Sequence, residues 1–191
     1  IDAGKKKVES GKSSISQGSE QLNSAINQTM DQQKKLYKTE QDLKKQLTEL
    51  KKQKASLEQI QTGIQTFMKS DAYTGIVTVL KDNPQLAESS QMQAQIKQVN
   101  AVVKKQFSAL SSLGITVNTY EDLPAASAEV GKLLTKVNTG MKTIERAQQK
   151  IESGKVSLAS ALDTLNANAS MTALQVSASS IELANAASSL E

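Results

Sequence analysis

The chain has no cysteine, no histidine and no tryptophan, and its 191 residues include only five aromatics: Phe67, Phe107, Tyr37, Tyr73 and Tyr120. Aromatic side chains dominate the energetics of compact cores, so a globular body here would rest almost wholly on aliphatic residues and alanine. Without histidine there is no usual general base at neutral pH, and without cysteine no thiol nucleophile; the loss of both removes nearly every transition-metal ligand set. The carboxylates occur singly among Lys and Gln on faces expected to be wet, where nothing raises a pKa into a catalytic range. No glycine-rich phosphate loop is present, because the glycines repeat inside helical pattern rather than in a strand-to-helix turn. The sequence predicts a protein that is not an enzyme and holds no cofactor or metal. Cysteine usage leaves the compartment open, since disulfides are optional inside and outside the cell.

Proline is scarce too, with only Pro84 and Pro124, both within residues 65 to 124, where the seven-residue pattern is interrupted. No apolar run approaches the roughly 20 residues that span a bilayer, and no basic-then-apolar leader precedes Ile1. The chain starts without Met and both ends fall inside helical pattern, which gives the expectation of a piece of a larger protein.

Formal charge is +4, and the excess lies in residues 1 to 61, with 12 Lys against 8 acids. Pairs such as Lys34 with Lys35, Lys44 with Lys45 and Lys51 with Lys52 could meet phosphates, but the interleaved aromatics and base-reading elements of nucleic-acid modules are missing. A solvated helical face accounts for them better, and no nucleic-acid partner is expected.

What is present is periodicity. Every seventh residue from the start reads Ile1, Val8, Ile15, Leu22, Thr29, Leu36, Leu43, Leu50, Leu57 and Ile64. A strict seven-residue apolar repeat keeps one stripe against a partner only in a left-handed supercoil, so a coiled-coil helix is expected from residue 1 to 64. Three residues beyond each of these stand Gly4, Gly11, Gly18, Ala25, Gln32, Thr39, Gln46 and Gln53. Glycine inside a helix costs about 1 kcal/mol relative to alanine, which predicts close backbone approach as the compensating reason. Gln32, Gln46 and Gln53 at that second seam line invite a further reading, as a weakened stretch that bends or as plain register markers.

A matching pattern returns later. Val130, Val137, Ile144, Ile151, Leu158 and Leu165 repeat by seven, with Leu133, Gly140, Ala147, Gly154 and Ala161 three residues on. After Asn166 the lines change to Leu174 with Ile181, and Val176 with Leu183 and Leu190, so Asn166 to Ser170 reads as a stutter or a break. The predicted arm contacts are carried by Val8, Gly11, Ile15, Gly18 and Leu22 on the first side. On the second they are carried by Val137, Gly140, Ile144, Ile151, Gly154 and Leu158. Internal pairing buries both stripes at lower entropic cost than recruiting a second chain. The expected fold is therefore all-α: a long antiparallel coiled-coil hairpin with a small, mostly helical head at its tip. The expected divisions are an ascending arm over 1–64, a head over 65–124 and a descending arm over 125–191, each arm reaching roughly 95 Å at 1.5 Å per residue.

In the head, Ser70 or Asp71 can cap a short helix through Leu80. Asn83 before Pro84 starts a second helix, which Gly114 ends. Met92, Ile96, Val99, Val103, Phe107 and Leu110 form its buried face. Thr116 to Asn118 is a brief extended link, and Asp122 with Pro124 opens the return arm. Phe67, Met68, Tyr73, Met92, Phe107 and Tyr120 are candidate contacts for a partner, and also candidates for the head's own small core.

The runs IDAGKKKVESGKSSISQGSEQL and GMKTIERAQQKIESGKVSLASAL, with YEDLPAASAEV leading into the return arm, resemble the extracellular coiled-coil insertions of FtsX-like ABC transporter permeases from Gram-positive bacteria. Similar repeats occur in phage infection protein-like membrane proteins and in extracellular loops of some RND-type exporters. The resemblance covers both arms and not the head. It implies an extracellular, membrane-attached setting, with the rest of the permease and a separate ATPase subunit as partners. The head would then meet an extracellular protein, a peptide or a lipophilic substrate. The resemblance carries spacing and packing residues only, and no catalytic or ligand residue. Two rival readings remain from other classes: a passive surface spacer, adhesin or phage-receptor-like coiled coil, and a cytosolic coiled-coil scaffold.

Overall fold

The apolar seven-residue repeat of the first third forms one continuous helix, α1 (Asp2–Met68), and that of the last third forms another, α4 (Leu123–Ser188). Between them lie α2 (Asp71–Asp82) and α3 (Ser90–Gln106), with short 3-10 turns at Pro84–Glu88, Ser108–Leu113 and Tyr120–Asp122. A computed structural model describes the backbone of residues 2–188 and the side chains of residues 6, 7 and 9–182. No strand occurs among the described residues. The fold is all-α, with α1 and α4 packed against each other as a helical hairpin. The chain divides into two compact units, one made of residues up to Lys45 and from Glu145 onward, the other of Gln46–Ile144.

In the Gln46–Ile144 unit, Leu50 meets Gly140 and Gln61 hydrogen-bonds Ser127, so the partner number falls as the α1 number rises and the helices run antiparallel. In the other unit Leu36 meets Gly154, while Ile15 and Val176 line one groove, which gives the same direction.

The seam of α1 corrects the expected register. Leu36, Leu43, Leu50, Leu57 and Ile64 face inward as the repeat requires, but their companions lie four residues on: Glu40, Leu47, Lys54, Gln61 and Met68 are all half-buried. Gln32, Thr39, Gln46 and Gln53 are exposed. A seven-residue period admits either neighbour, since residues three and four apart both flank the stripe, and the side on which α4 lies selects the second. The bending stretch proposed for Gln32, Gln46 and Gln53 thus loses its footing, because these amides occupy no seam position.

Glycine packing is likewise one-sided. Gly11 is exposed and Gly18 half-buried, and a Cβ at either would meet nothing within 4 Å, so the close approach expected there is absent. On α4, a Cβ at Gly140 would stand 3.4 Å from Leu50 Cδ1, and one at Gly154 would stand 3.3 Å from Leu36 Cδ1. Leucines of α1 fill notches in α4, and no reverse arrangement occurs among the described residues. Ile15 and Leu22 are half-buried, as are Val137 and Leu158, while Ile144 and Ile151 are buried. The surroundings of Gly4, the side chains of Val8 and Leu183, and the whole of Ile1 and Leu190 lie outside the described residues.

No break follows Asn166. The inward positions continue as Leu158, Leu162, Leu165, Ala169, Thr172 and Val176, alternating four and three residues apart, and α4 runs through them unbroken. Ser170 and Thr172 donate to the carbonyls of Asn166 and Asn168 at 2.9 Å, which satisfies their hydroxyls without interrupting the helix. Thr172 keeps the seam line where the sequence offered no aliphatic residue, and Leu174 and Ile181 stand 71% and 61% exposed.

The joining segment owes its turns to serine and threonine caps. Ser70 donates to the Phe67 carbonyl at 2.6 Å and accepts from the Tyr73 amide at 3.4 Å, ending α1 and starting α2 in one residue. The single helix expected from Asn83 to Gly114 is instead three pieces. Pro84–Glu88 winds as a 3-10 turn, and Ser89, in extended conformation, caps α3 by accepting from the Met92 amide at 3.3 Å. At the other end Ser108, Ser111 and Ser112 donate to carbonyls three residues back, local bonds that compete with α-helix and favour the tighter turn. Gly114, at φ 75°, closes the segment in the left-handed conformation that suits glycine. The Asp122 carboxylate accepts from the Asn118 and Thr119 amides, each at 2.8 Å, and turns the chain into α4. Those two backbone bonds hold its pKa below the ordinary value.

Candidate functional site

The main cluster of buried apolar side chains among the described residues lies within the Gln46–Ile144 unit. Ile64, Val103, Leu123 and Val130 are fully enclosed and Leu110 nearly so, bringing α1, α3 and α4 together. All six head residues singled out from the sequence fall in or against this core. Met92, Phe107 and Tyr120 are buried, and Phe67, Met68 and Tyr73 are half-buried beside them. Phe67 packs edge-on against Phe107 at 5.9 Å and against Tyr73 at 6.5 Å, and Tyr73 packs edge-on against Tyr120 at 6.1 Å. Such pairs add stability beyond area burial, which is the role the geometry gives them. Asn100 of α3 accepts the Tyr120 amide at 2.9 Å, tying α3 to the entry of α4. Burial, and next the neighbouring Glu121 carboxylate, raise the Tyr120 pKa.

The surface feature that sequence reasoning missed is an open groove of about 700 Å³ in the same unit. From α1 come Leu50, Leu57 and Ile60, from α4 Leu133, Val137 and the notch at Gly140, and from the 3-10 segment Ala109 and Leu113. Its volume lies in the range of small-molecule sites, and its wall is mainly apolar with a few polar groups. Lys136 is the one charged side chain among its lining residues. Aromatic and methionine content drew attention elsewhere in the sequence, and the groove contains neither type. Its available signal was Gly140, in a seam line of small residues after Leu133, together with the serine-rich run Ser108–Leu113.

The other unit carries an ionic cluster across its helix pair. Lys155 of α4 bonds Glu40 of α1 at 3.0 Å and Glu152 at 3.1 Å, while Lys44 holds the second Glu40 oxygen at 2.6 Å. The Lys155 ammonium also sits 5.6 Å from the centre of the Tyr37 ring. Hydrogen bonds from Lys44 and then Lys155 lower the Glu40 pKa, and those to Glu40 and then Glu152 raise that of Lys155. Both residues occupy seam positions, so the cluster marks register between the helices in the manner of a polar residue in a coiled-coil core.

Among the described residues no cluster of metal-ligating side chains occurs, and no helix is long and apolar enough to cross a membrane. Comparison with protein-family models, with curated proteins and with solved structures found no match.

Proposed function

We propose that the chain serves as the extracellular stalk-and-head module of a membrane permease driven by a separate ATPase subunit. In this reading the paired helices carry a recognition surface and couple it mechanically to transport. The observation that carries the reading is the antiparallel return. Ile15 near the start of α1 and Val176 near the end of α4 line one groove, so the polypeptide comes back to the place it left. That geometry suits a segment held between two membrane anchors. The resemblance of both arms to permease insertions supplies the setting. Effector binding at one end and ATP-driven motion at the other would each bias the other by linkage.

The chain itself has no cysteine, so labelling above that of the unsubstituted protein reports on a single cysteine placed in it. Ser112, which is exposed, is replaced by cysteine in the protein as its own cells make it, and intact cells are treated with a membrane-impermeant maleimide. Labelling of intact cells, with a nucleotide-hydrolysing subunit recovered on purification, is the expected result. Labelling only after the cells are broken open would overturn the reading and favour an intracellular scaffold.

A further inference from the structure

We infer that the groove over Gly140 is a binding site for a single-chain amphiphile with a carboxylate head, a long-chain fatty acid in chemical class. Three observations lead there, none of which depends on where the protein works. Leu50, Leu57, Ile60, Leu133 and Val137 supply an aliphatic lining against which a flexible alkyl chain can pack along its length. From Leu50 to Ile60 the α1 face extends about 15 Å at 1.5 Å per residue, a length suited to one alkyl chain. Finally, the charge at the groove has a single sign. Lys136 is its only ionisable lining residue and enters no ion pair among the described residues, whereas Lys132, one turn away, is held by Glu129 at 2.6 Å. An ammonium beside an apolar trough favours an anionic head over a neutral or cationic one.

Gly140 lies in the groove lining beside Leu50. The Cβ position it leaves empty lies 3.4 Å from Leu50 Cδ1, so any larger side chain there competes with both Leu50 and the ligand. The 3-10 segment places Ala109 and Leu113 along one side, and Leu113 remains 41% exposed in the free protein.

The test uses the lack of native tryptophan. A Ser112→Trp variant gives a lone fluorophore beside the groove, titrated with dodecanoate and with dodecyltrimethylammonium below their micelle concentrations. A saturable blue shift with dodecanoate is expected. Affinity should fall roughly tenfold on adding Lys136→Gln, the loss of one charge-assisted contact. Lys136→Glu, at an exposed position that leaves the fold intact, should invert the preference toward the cationic amphiphile. Equal response to both probes, indifference to Lys136→Glu, or no saturation would each overturn the assignment. So would a concentration-dependent rise in mass by light scattering that abolishes the response, since a second copy would then be the occupant.

Discussion

The Cδ1 atom of Leu36 stands 3.3 Å from the point where Gly154 would carry a Cβ, and Leu50 repeats the relationship with Gly140 at 3.4 Å. In both places a large side chain of α1 takes up room that glycine leaves on α4. The helix-propensity cost of each glycine is thereby set against a close contact, which the described glycines of α1 do not receive from α4.

Glycine substitutions should separate the two helices. Gly18→Ala on α1 meets open space and is expected to stabilise by up to about 1 kcal/mol through helix propensity and a less flexible unfolded chain. Gly154→Ala has the same intrinsic gain but presses on Leu36, so its net effect should be smaller. Gly154→Leu must displace Leu36 and is expected to cost about 1–3 kcal/mol by overpacking. Urea midpoints at constant slope would order the variants Gly18→Ala, Gly154→Ala, Gly154→Leu from most to least stable; the reverse order for the first two would show that the α1 glycine has a packing role.

The cluster around Glu40 has a defined pH signature. Its carboxyl is held below the ordinary value of 4.5, so its contribution is present above that value and fades as pH falls through the lowered pKa. Lys155 is held above its ordinary 10.5, so its contribution is complete below that value and fades as pH rises through the raised pKa. The stability difference between the native chain and Glu40→Gln should therefore be flat and largest between these two ranges and shrink on both sides. Thermal midpoints of the two proteins across pH measure it. A difference independent of pH would mean that Glu40 acts through shape and not charge.

Gln61 lies in the seam with its Nε2 donating to Ser127 Oγ at 2.9 Å, and its Oε1 is buried with no partner. A buried polar atom without a partner costs about 1–3 kcal/mol. Gln61→Met combined with Ser127→Ala removes both polar groups at nearly constant volume and is expected to raise stability by about 1 kcal/mol. Ser127→Ala alone strands the amide entirely and should lower it by a similar amount. Chemical denaturation of the two singles and the double gives the coupling between them.

Much of the architecture was legible because it depends on a period. The line from Ile15 through Ile64 and the line from Val130 through Leu165 face inward as read from spacing alone. Ser70 as a cap and Gly114 as a stop were also legible, since each acts through bonds or dihedrals within a few residues. The course of α4 past Asn166 was not, because Thr172 sits at the seam in place of an aliphatic residue and breaks the visible pattern without breaking the helix. The change from α3 to a 3-10 turn at Phe107 was hidden for a related reason. The apolar positions from Met92 to Leu110 keep a helical period across a cap and a 3-10 turn, although the backbone does not remain one helix.

The six aromatic and methionine residues from Phe67 to Tyr120 could have been core or contact surface by composition. Their mutual packing, set by α3 lying against α1 and the entry of α4, made them core. The groove then formed from ordinary seam leucines that the short Ser108–Leu113 segment leaves partly uncovered.

By itself the sequence determined that the chain is helical, that two long helices each carry one apolar stripe, and where the turns between them begin. It could do so because helix periodicity and capping are local, fixed within one or two turns. Tertiary structure alone decided which neighbour completes the α1 stripe, which glycines receive a partner, and that Glu40 meets Lys155. Each of these depends on the side from which the opposing helix approaches, and that direction is a property of the pair, written in neither helix alone.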